Sequence, residues 1–100
     1  MKRRYIICVN NSNVEQQKKF IEFLTRPSVG YWHWLSNTWL VVVENDALSM
    51  QQLMDTSKTL FDNEYSLVIE INNNGDTWTG YGPNGVEKNM FTWLINNWKK

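Results

Sequence analysis

His33 is the only histidine and Cys8 the only cysteine of the chain. A single copy therefore cannot build a His-rich metal centre, a paired-histidine acid/base device or a disulfide. Acid/base work by His33 would need a carboxylate such as Glu44 or Glu70 to orient its ring. Glu44, Asp46, Asp62 and Glu64 fall near element ends, where solvated turn positions are the ordinary use, and no catalytic pair stands out. The run Gly80-Tyr81-Gly82-Pro83-Asn84-Gly85 lacks both the long buried strand and the Lys-Ser or Lys-Thr pair of a phosphate loop, so it reads as a turn. Amides gather at Asn10, Asn11 and Asn13 and again at Asn72, Asn73 and Asn74. Such side chains read base edges by paired hydrogen bonds, and they are also common turn residues.

The residues suited to recognition are aromatic. Trp32, Trp34 and Trp39, three of the six tryptophans, lie between Tyr31 and Leu40 with His33 among them. Each indole offers a large apolar area and one N–H donor, so the stretch is core, subunit interface or binding wall. Tyr5, Trp32, His33, Trp34, Trp39, Trp78 and Tyr81 are the candidate stacking residues, although the basic and glycine-flanked signature of common RNA-binding sheets is missing. Arg3, Arg4 and Lys88 are candidate phosphate contacts. Asn10 and Asn11 are candidate amide contacts.

Ten basic residues balance ten acidic ones. No global field draws the chain to nucleic acid or to a membrane, and binding of that kind must come from a local patch. The start Met1-Lys2-Arg3-Arg4 has the charge of an export signal, but the apolar run after it stops at Asn10, too short for one. No stretch has the length of a membrane-spanning helix, and a cytoplasmic protein is the expectation.

These residues are positioned by a readable order of elements. Residues 3 to 9 form a β-branched and aromatic strand closed by the polar run at 10 to 13. Ser12 and Glu15 have capping-box spacing and predict a helix carrying Val14, Phe20, Ile21 and Leu24, ending before Pro27. The tryptophan stretch predicts a hairpin of strands at about 29 to 35 and 38 to 44 around Ser36-Asn37. Ser49 and Gln52 open a second helix to about residue 61, Asp62-Asn63 breaks it, and Tyr65 to Ile71 alternate as a strand. The order predicts an α+β, ferredoxin-like βαββαβ sandwich with both helices on one face. A short fifth strand at 76 to 81 and a last helix carrying Val86, Met90, Trp93, Leu94 and Asn97, widened by Phe91, Ile95 and Trp98, complete one domain over residues 1–100. Its core spans about 3–71 and its C-terminal strand and helix about 76–98.

Both faces of this sheet are apolar. Tyr31, His33 and Leu35 alternate with Trp32 and Trp34, Trp39, Val41 and Val43 with Leu40 and Val42, and Leu67, Ile69 and Ile71 with Val68. Two helices cover one face only. The other requires the C-terminal helix, a second subunit or both, and a homodimer is the economical solution because one self-complementary patch is used twice.

The run Trp32-His33-Trp34-Leu35-Ser36-Asn37-Thr38-Trp39-Leu40-Val41, with Leu67-Val68-Ile69 and Gly75-Asp76-Thr77-Trp78-Thr79-Gly80-Tyr81, resembles small bacterial and phage proteins labelled SinR-like. These look related to the dimeric ferredoxin-like subunit of the CRISPR spacer-integration complex and to VapD-type endoribonucleases. The resemblance covers roughly residues 4 to 98 and implies a ferredoxin-like homodimer. It also implies an Asp at the end of the first strand, where the wider superfamily holds a divalent metal; Asn10-Asn11 stand there instead. A neutral amide is a poor ligand for a hard cation.

The expectation is therefore a non-catalytic homodimeric module of phage, prophage or bacterial-defence context. It would bind a host or phage protein, a nucleic acid or a small nucleotide, without a cofactor. The alternatives are a metal-dependent nuclease with displaced ligands, such as Asp76 or Glu44 across a dimer, and a purely structural subunit.

Overall fold

The computed structural model describes residues 2–71 and 84–98. Strand β1 (Lys2–Val9) leads to helix α1 (Val14–Leu24), strands β2 (Val29–Leu35) and β3 (Thr38–Glu44), helix α2 (Met50–Leu60) and strand β4 (Ser66–Ile71). The sheet is antiparallel in the order β2-β3-β1-β4, with β1 and β3 central. This is an α+β arrangement compatible with a ferredoxin-like fold. The expected fifth strand, with Trp78 and Tyr81, lies outside the described residues.

Local chemistry sets the element ends. Helix α1 begins one residue later than the Ser12–Glu15 spacing predicts. Asn13 is the N-cap, and Asn13 and Gln16 exchange the two reciprocal bonds of a capping box. The Ser12 hydroxyl is engaged elsewhere, donating to Asn37 Oδ1 at 2.6 Å and tying the helix start to the hairpin turn. Ser49 and Gln52 cap α2 as their spacing predicts. Asp62 and Asn63 end it with left-handed backbone (φ 54° and 62°), a conformation these two residue types tolerate well.

On one face, Tyr5, Ile7 and Val9 of β1 and Trp39, Val41 and Val43 of β3 pack against Phe20, Leu24, Leu48, Leu53 and Phe61. The opposite face carries the rest of the alternation. Its cross-strand rows are Leu35–Thr38–Cys8–Leu67, Trp32–Leu40–Ile6–Ile69 and Gly30–Val42–Arg4–Ile71. The chain covers much of this face itself: Met90, Leu94 and Trp98 are buried against Trp32 and Val42, with Ile6, Leu40 and Ile71 packed around them.

That cover is shorter than the helix expected from Val86 onward. Val86 is fully exposed, Asn84 and Asn89 pair in an antiparallel bridge, and Gly85 N–H donates to the Lys88 carbonyl. The Asn89 side chain then accepts from the backbone N–H groups of Phe91 and Thr92, and helix starts only there, ending as a π-helical turn over Leu94–Trp98. Asn97 and Ile95 face solvent, so the buried stripe is Met90, Leu94 and Trp98.

A second correction concerns the hairpin. Leu35 pairs with Thr38 but Trp32 pairs with Leu40, so three steps along β2 match two along β3. A bulge of this kind inserts one extra residue into a strand and re-aims the side chains beyond it. Leu35 therefore joins Trp32 and Leu40 on one face, not Tyr31 and His33 as alternation predicts, while His33 stacks on Trp39 on the other.

Candidate functional site

The two faces of the sheet place the aromatic candidates in two environments. Trp39 is fully buried, with Phe20 edge-on at 5.0 Å between ring centroids and Phe61 at 5.5 Å. His33 stacks on it, centroids 4.1 Å apart and planes 2° from parallel. Tyr5 is in the same core. Trp32 is buried on the other face, its Nε1–H donating to the Met90 carbonyl at 2.6 Å. Trp34 is 41% exposed. Tyr5, Trp32 and Trp39 hold the fold together and do not form an open stacking wall, because their rings are already covered by protein.

His33 sits in a small polar relay. Its Nδ1 lies 3.1 Å from the Thr38 carbonyl and its Nε2 3.4 Å from Gln17 Oε1, while Gln17 Nε2 donates to Ser12 Oγ at 3.0 Å. Two acceptors suit a protonated ring, or a neutral one once the Gln17 amide turns its NH₂ group inward. Burial decides for the neutral ring: it pushes the His33 pKa below its usual value, and the Thr38 carbonyl opposes this only in part. Neither Glu44 nor Glu70 orients the imidazole.

A pH dependence follows with a defined sign. The unfolded chain, with an ordinary imidazole near 6.5, takes up a proton before the folded chain does. Stability should therefore fall as pH drops through the usual histidine range, and level off below the depressed folded pKa. Urea midpoints measured from pH 8 to pH 5 check this, and His33→Gln should remove that part of the slope. Because the chain has one histidine, its imidazole proton resonance reports the folded titration directly; a folded value above 6.5 would refute the assignment.

Arg3 stands at the rim of the helical face, paired with Glu70 at 3.0 Å and more distantly with Asp46 at 3.8 Å. The Glu70 hydrogen bond and charge hold the guanidinium firmly protonated. Beside it, burial first and then the Glu70 carboxylate push the Tyr5 phenol above its usual pKa. Arg3, Tyr5, Asp46, Ser49 and Glu70 contribute to the wall of a cavity of about 300 Å³. Arg3 is thereby committed to carboxylates.

Asn10 and Asn11 are exposed where β1 ends. Asn10 Nδ2 donates to Glu64 Oε1 at 3.1 Å, and its backbone N–H donates to the Tyr65 carbonyl. This amide stitches two turns together. Lys88 is exposed in the turn before the C-terminal helix, away from the strand-end amides in sequence. Among the described residues no group of three or more His, Cys, Asp or Glu side chains could hold a metal ion, and no helix is long and apolar enough to cross a membrane.

The feature that composition alone does not reveal is the unequal cover of the tryptophan face. The row Leu35–Thr38–Cys8–Leu67 lies beyond the C-terminal segment, with Leu35 50% and Leu67 57% exposed. Ile69, in the next row, is 40% exposed. Tyr65 and Leu67 also border a shallow hollow with Cys8 and Asn10. The alternation lays out the apolar rows, but which of them stays bare is set by where the C-terminal segment lands. No family model, curated protein or solved structure matches this chain.

Proposed function

We propose that this chain is a ferredoxin-like, non-catalytic binding module that works as a homodimer. The observation that carries the reading is the uncovered apolar row Leu35–Thr38–Cys8–Leu67, which runs out to an edge strand whose only strand neighbour among the described residues is β1. An edge strand presents unpaired N–H and C=O groups together with its exposed side chains, and a second copy satisfies both at once. Antiparallel pairing of two β4 strands about a two-fold axis sets Leu67 and Ile69 of one copy beside their counterparts.

The element order, strand–helix–strand twice over, and the central position of β1 and β3 support the ferredoxin-like reading. The likeness of the hairpin and β4 to SinR-like proteins supports a phage, prophage or bacterial-defence setting. In that setting the dimer would act by occupying a nucleotide, a nucleic acid or a protein partner.

Sedimentation equilibrium or native mass spectrometry of the purified chain tests the assembly. A dimer is expected at micromolar concentration. The double substitution Leu67→Lys with Ile69→Lys should weaken it at least about 100-fold, equivalent to ~2.7 kcal/mol, while leaving the thermal midpoint of the monomer fold nearly unchanged. A wild-type protein that remains monomeric at hundreds of micromolar removes the proposal.

A further inference from the structure

The two arginines at the start of β1 have different surroundings. Arg4 lies in the covered part of the tryptophan face, 9% exposed, and its Nε meets no acceptor among the described residues. Arg3 opens instead onto the cavity of about 300 Å³ on the helical side, at the start of α2. Ligand pockets span roughly 300–1,000 Å³, and the lower end of that range suits a metabolite of amino-acid size. The wall of the cavity divides by chemistry: Arg3, Asp46 and Glu70 are charged, the Tyr5 phenol is polar, and Leu48 and Met50 are apolar.

The charges do not cancel. Arg3 supplies one positive charge against the two carboxylates of Glu70 and Asp46, which leaves the mouth of the cavity with an excess negative charge. The Arg3–Glu70 bond uses Nη1 and Oε2 at 3.0 Å, so Oε1 of Glu70 is not taken by it. Asp46 Oδ1 lies 3.8 Å from Arg3 Nε, too far for a hydrogen bond, and its side chain is 84% exposed. The backbone sets this residue in place. Asn45 and Asp46 both have left-handed φ (57° and 54°), and the Ala47 N–H donates to the Glu44 carbonyl across them. Positive φ at both central residues is what a type I′ turn requires, and Asn and Asp tolerate it. Two carboxylates with oxygens to spare suit an ammonium, whose N–H groups all need acceptors.

Donors stand beside them. The capping box of α2 occupies the N–H groups of Ser49 and Gln52. Met50, a wall residue, carries one of the first N–H groups of the helix, which have no partner within it. Arg3 has N–H donors beyond the one that Glu70 accepts. The Tyr5 phenol, pushed above its usual pKa by burial first and then by Glu70, keeps its hydrogen to donate. These groups together suit a carboxylate.

We infer that this cavity binds a free α-amino acid with an aliphatic side chain. Its carboxylate meets Arg3 and the start of α2, its ammonium lies between Glu70 and Asp46, and its side chain packs on Leu48 and Met50. A ligand carrying only one of the two charges leaves the other half of the wall unmatched, which is the basis of selectivity for the zwitterion. The site is on the sheet face opposite the bare row and goes beyond the homodimer reading without resting on it.

The full chain is titrated by calorimetry with three probes: L-leucine, isoamylamine, which is leucine without its carboxylate, and isocaproate, which is leucine without its ammonium. Leucine is expected to bind about tenfold or more tightly than either. Backbone amide resonances of Leu48, Ser49 and Met50 should move with it, and those of Leu35 and Leu67 should stay in place. Glu70→Gln and Asp46→Asn should weaken leucine while leaving isocaproate no weaker, and Arg3→Met should weaken leucine and isocaproate alike. Asp46→Asn keeps the fold intact, because the side chain is exposed and Asn also accepts a left-handed backbone.

A wild-type protein indifferent to leucine at millimolar concentrations overturns the inference. So does leucine bound no more tightly than isoamylamine, the behaviour of a simple cation site, and so do Glu70→Gln and Asp46→Asn variants that both bind leucine as wild type does. Sedimentation of the same samples keeps the two readings apart. A monomer that binds leucine removes only the homodimer, and a dimer that ignores leucine removes only this site.

Discussion

Trp39→Ala is expected to destabilise the protein by about 3–5 kcal/mol, the usual cost of truncating a buried Trp or Phe. Trp39 has no exposed surface and is held by Phe20, Phe61 and the parallel ring of His33. The rings that wall the void remain packed on one another, Phe20 on Phe61 and Phe23, which opposes their moving into it. The loss is tempered by one feature: Nε1 of Trp39 is buried without an acceptor, and deleting it relieves a desolvation penalty of about 1–3 kcal/mol. Trp39→Phe should therefore cost much less than Trp39→Ala, since it keeps a ring while removing the unpaired N–H. Trp34→Ala, at a site 41% exposed, should cost under about 2 kcal/mol. Urea unfolding of the three variants checks the order, and a Trp34→Ala loss equal to that of Trp39→Ala would contradict the core described here.

The contrast between these two tryptophans marks where the sequence is readable. Strict alternation gave correct bounds for β2 and β3, because β-branched and aromatic residues with a polar two-residue turn have few alternative arrangements. Alternation is silent about the extra residue between Trp32 and Leu35. A bulge changes register without changing composition, and here it carries Leu35 across to the face of Trp32.

The C-terminal stripe departs from the predicted helix for a related reason. Val86, Met90, Leu94 and Trp98 recur at helical spacing, but Asn84, Gly85 and Asn89 favour a turn that consumes the first part of it. The apolar character of both sheet faces was legible. The division of the second face into a covered part and a bare row depends on where one short segment lands, which hydrophobic period does not specify. Arg4 was legible as a basic residue near the start of the chain, but its isolation from carboxylates was not. That property belongs to the register of three strands, in which Glu70 falls on the wrong side to reach it.

Trp98→Ala should release the C-terminal segment while leaving the helical-face core intact. Trp98 is buried with Leu94, Met90 and Trp32, and the points that hold the segment include the Trp32 bond to the Met90 carbonyl, the packing of Phe91 and Trp93, the latter against Gly30, and Lys2 on the Asn97 carbonyl. Truncation removes about 3–5 kcal/mol of packing, which is comparable with what such a short cover contributes in total. The loss should appear as local opening and not as global unfolding. Hydrogen exchange should accelerate most across Leu94–Trp98, and Trp32 emission should shift to the red, while amides of β1 and β3 keep most of their protection. The freed rows Trp32–Leu40–Ile6–Ile69 and Gly30–Val42–Arg4–Ile71 would then join the bare row beside them, so the variant should also self-associate more strongly and bind a hydrophobic dye. Equal loss of protection in the central strands would mean that cover and core unfold as one cooperative unit, and that the second sheet face is as essential to the fold as the helical one.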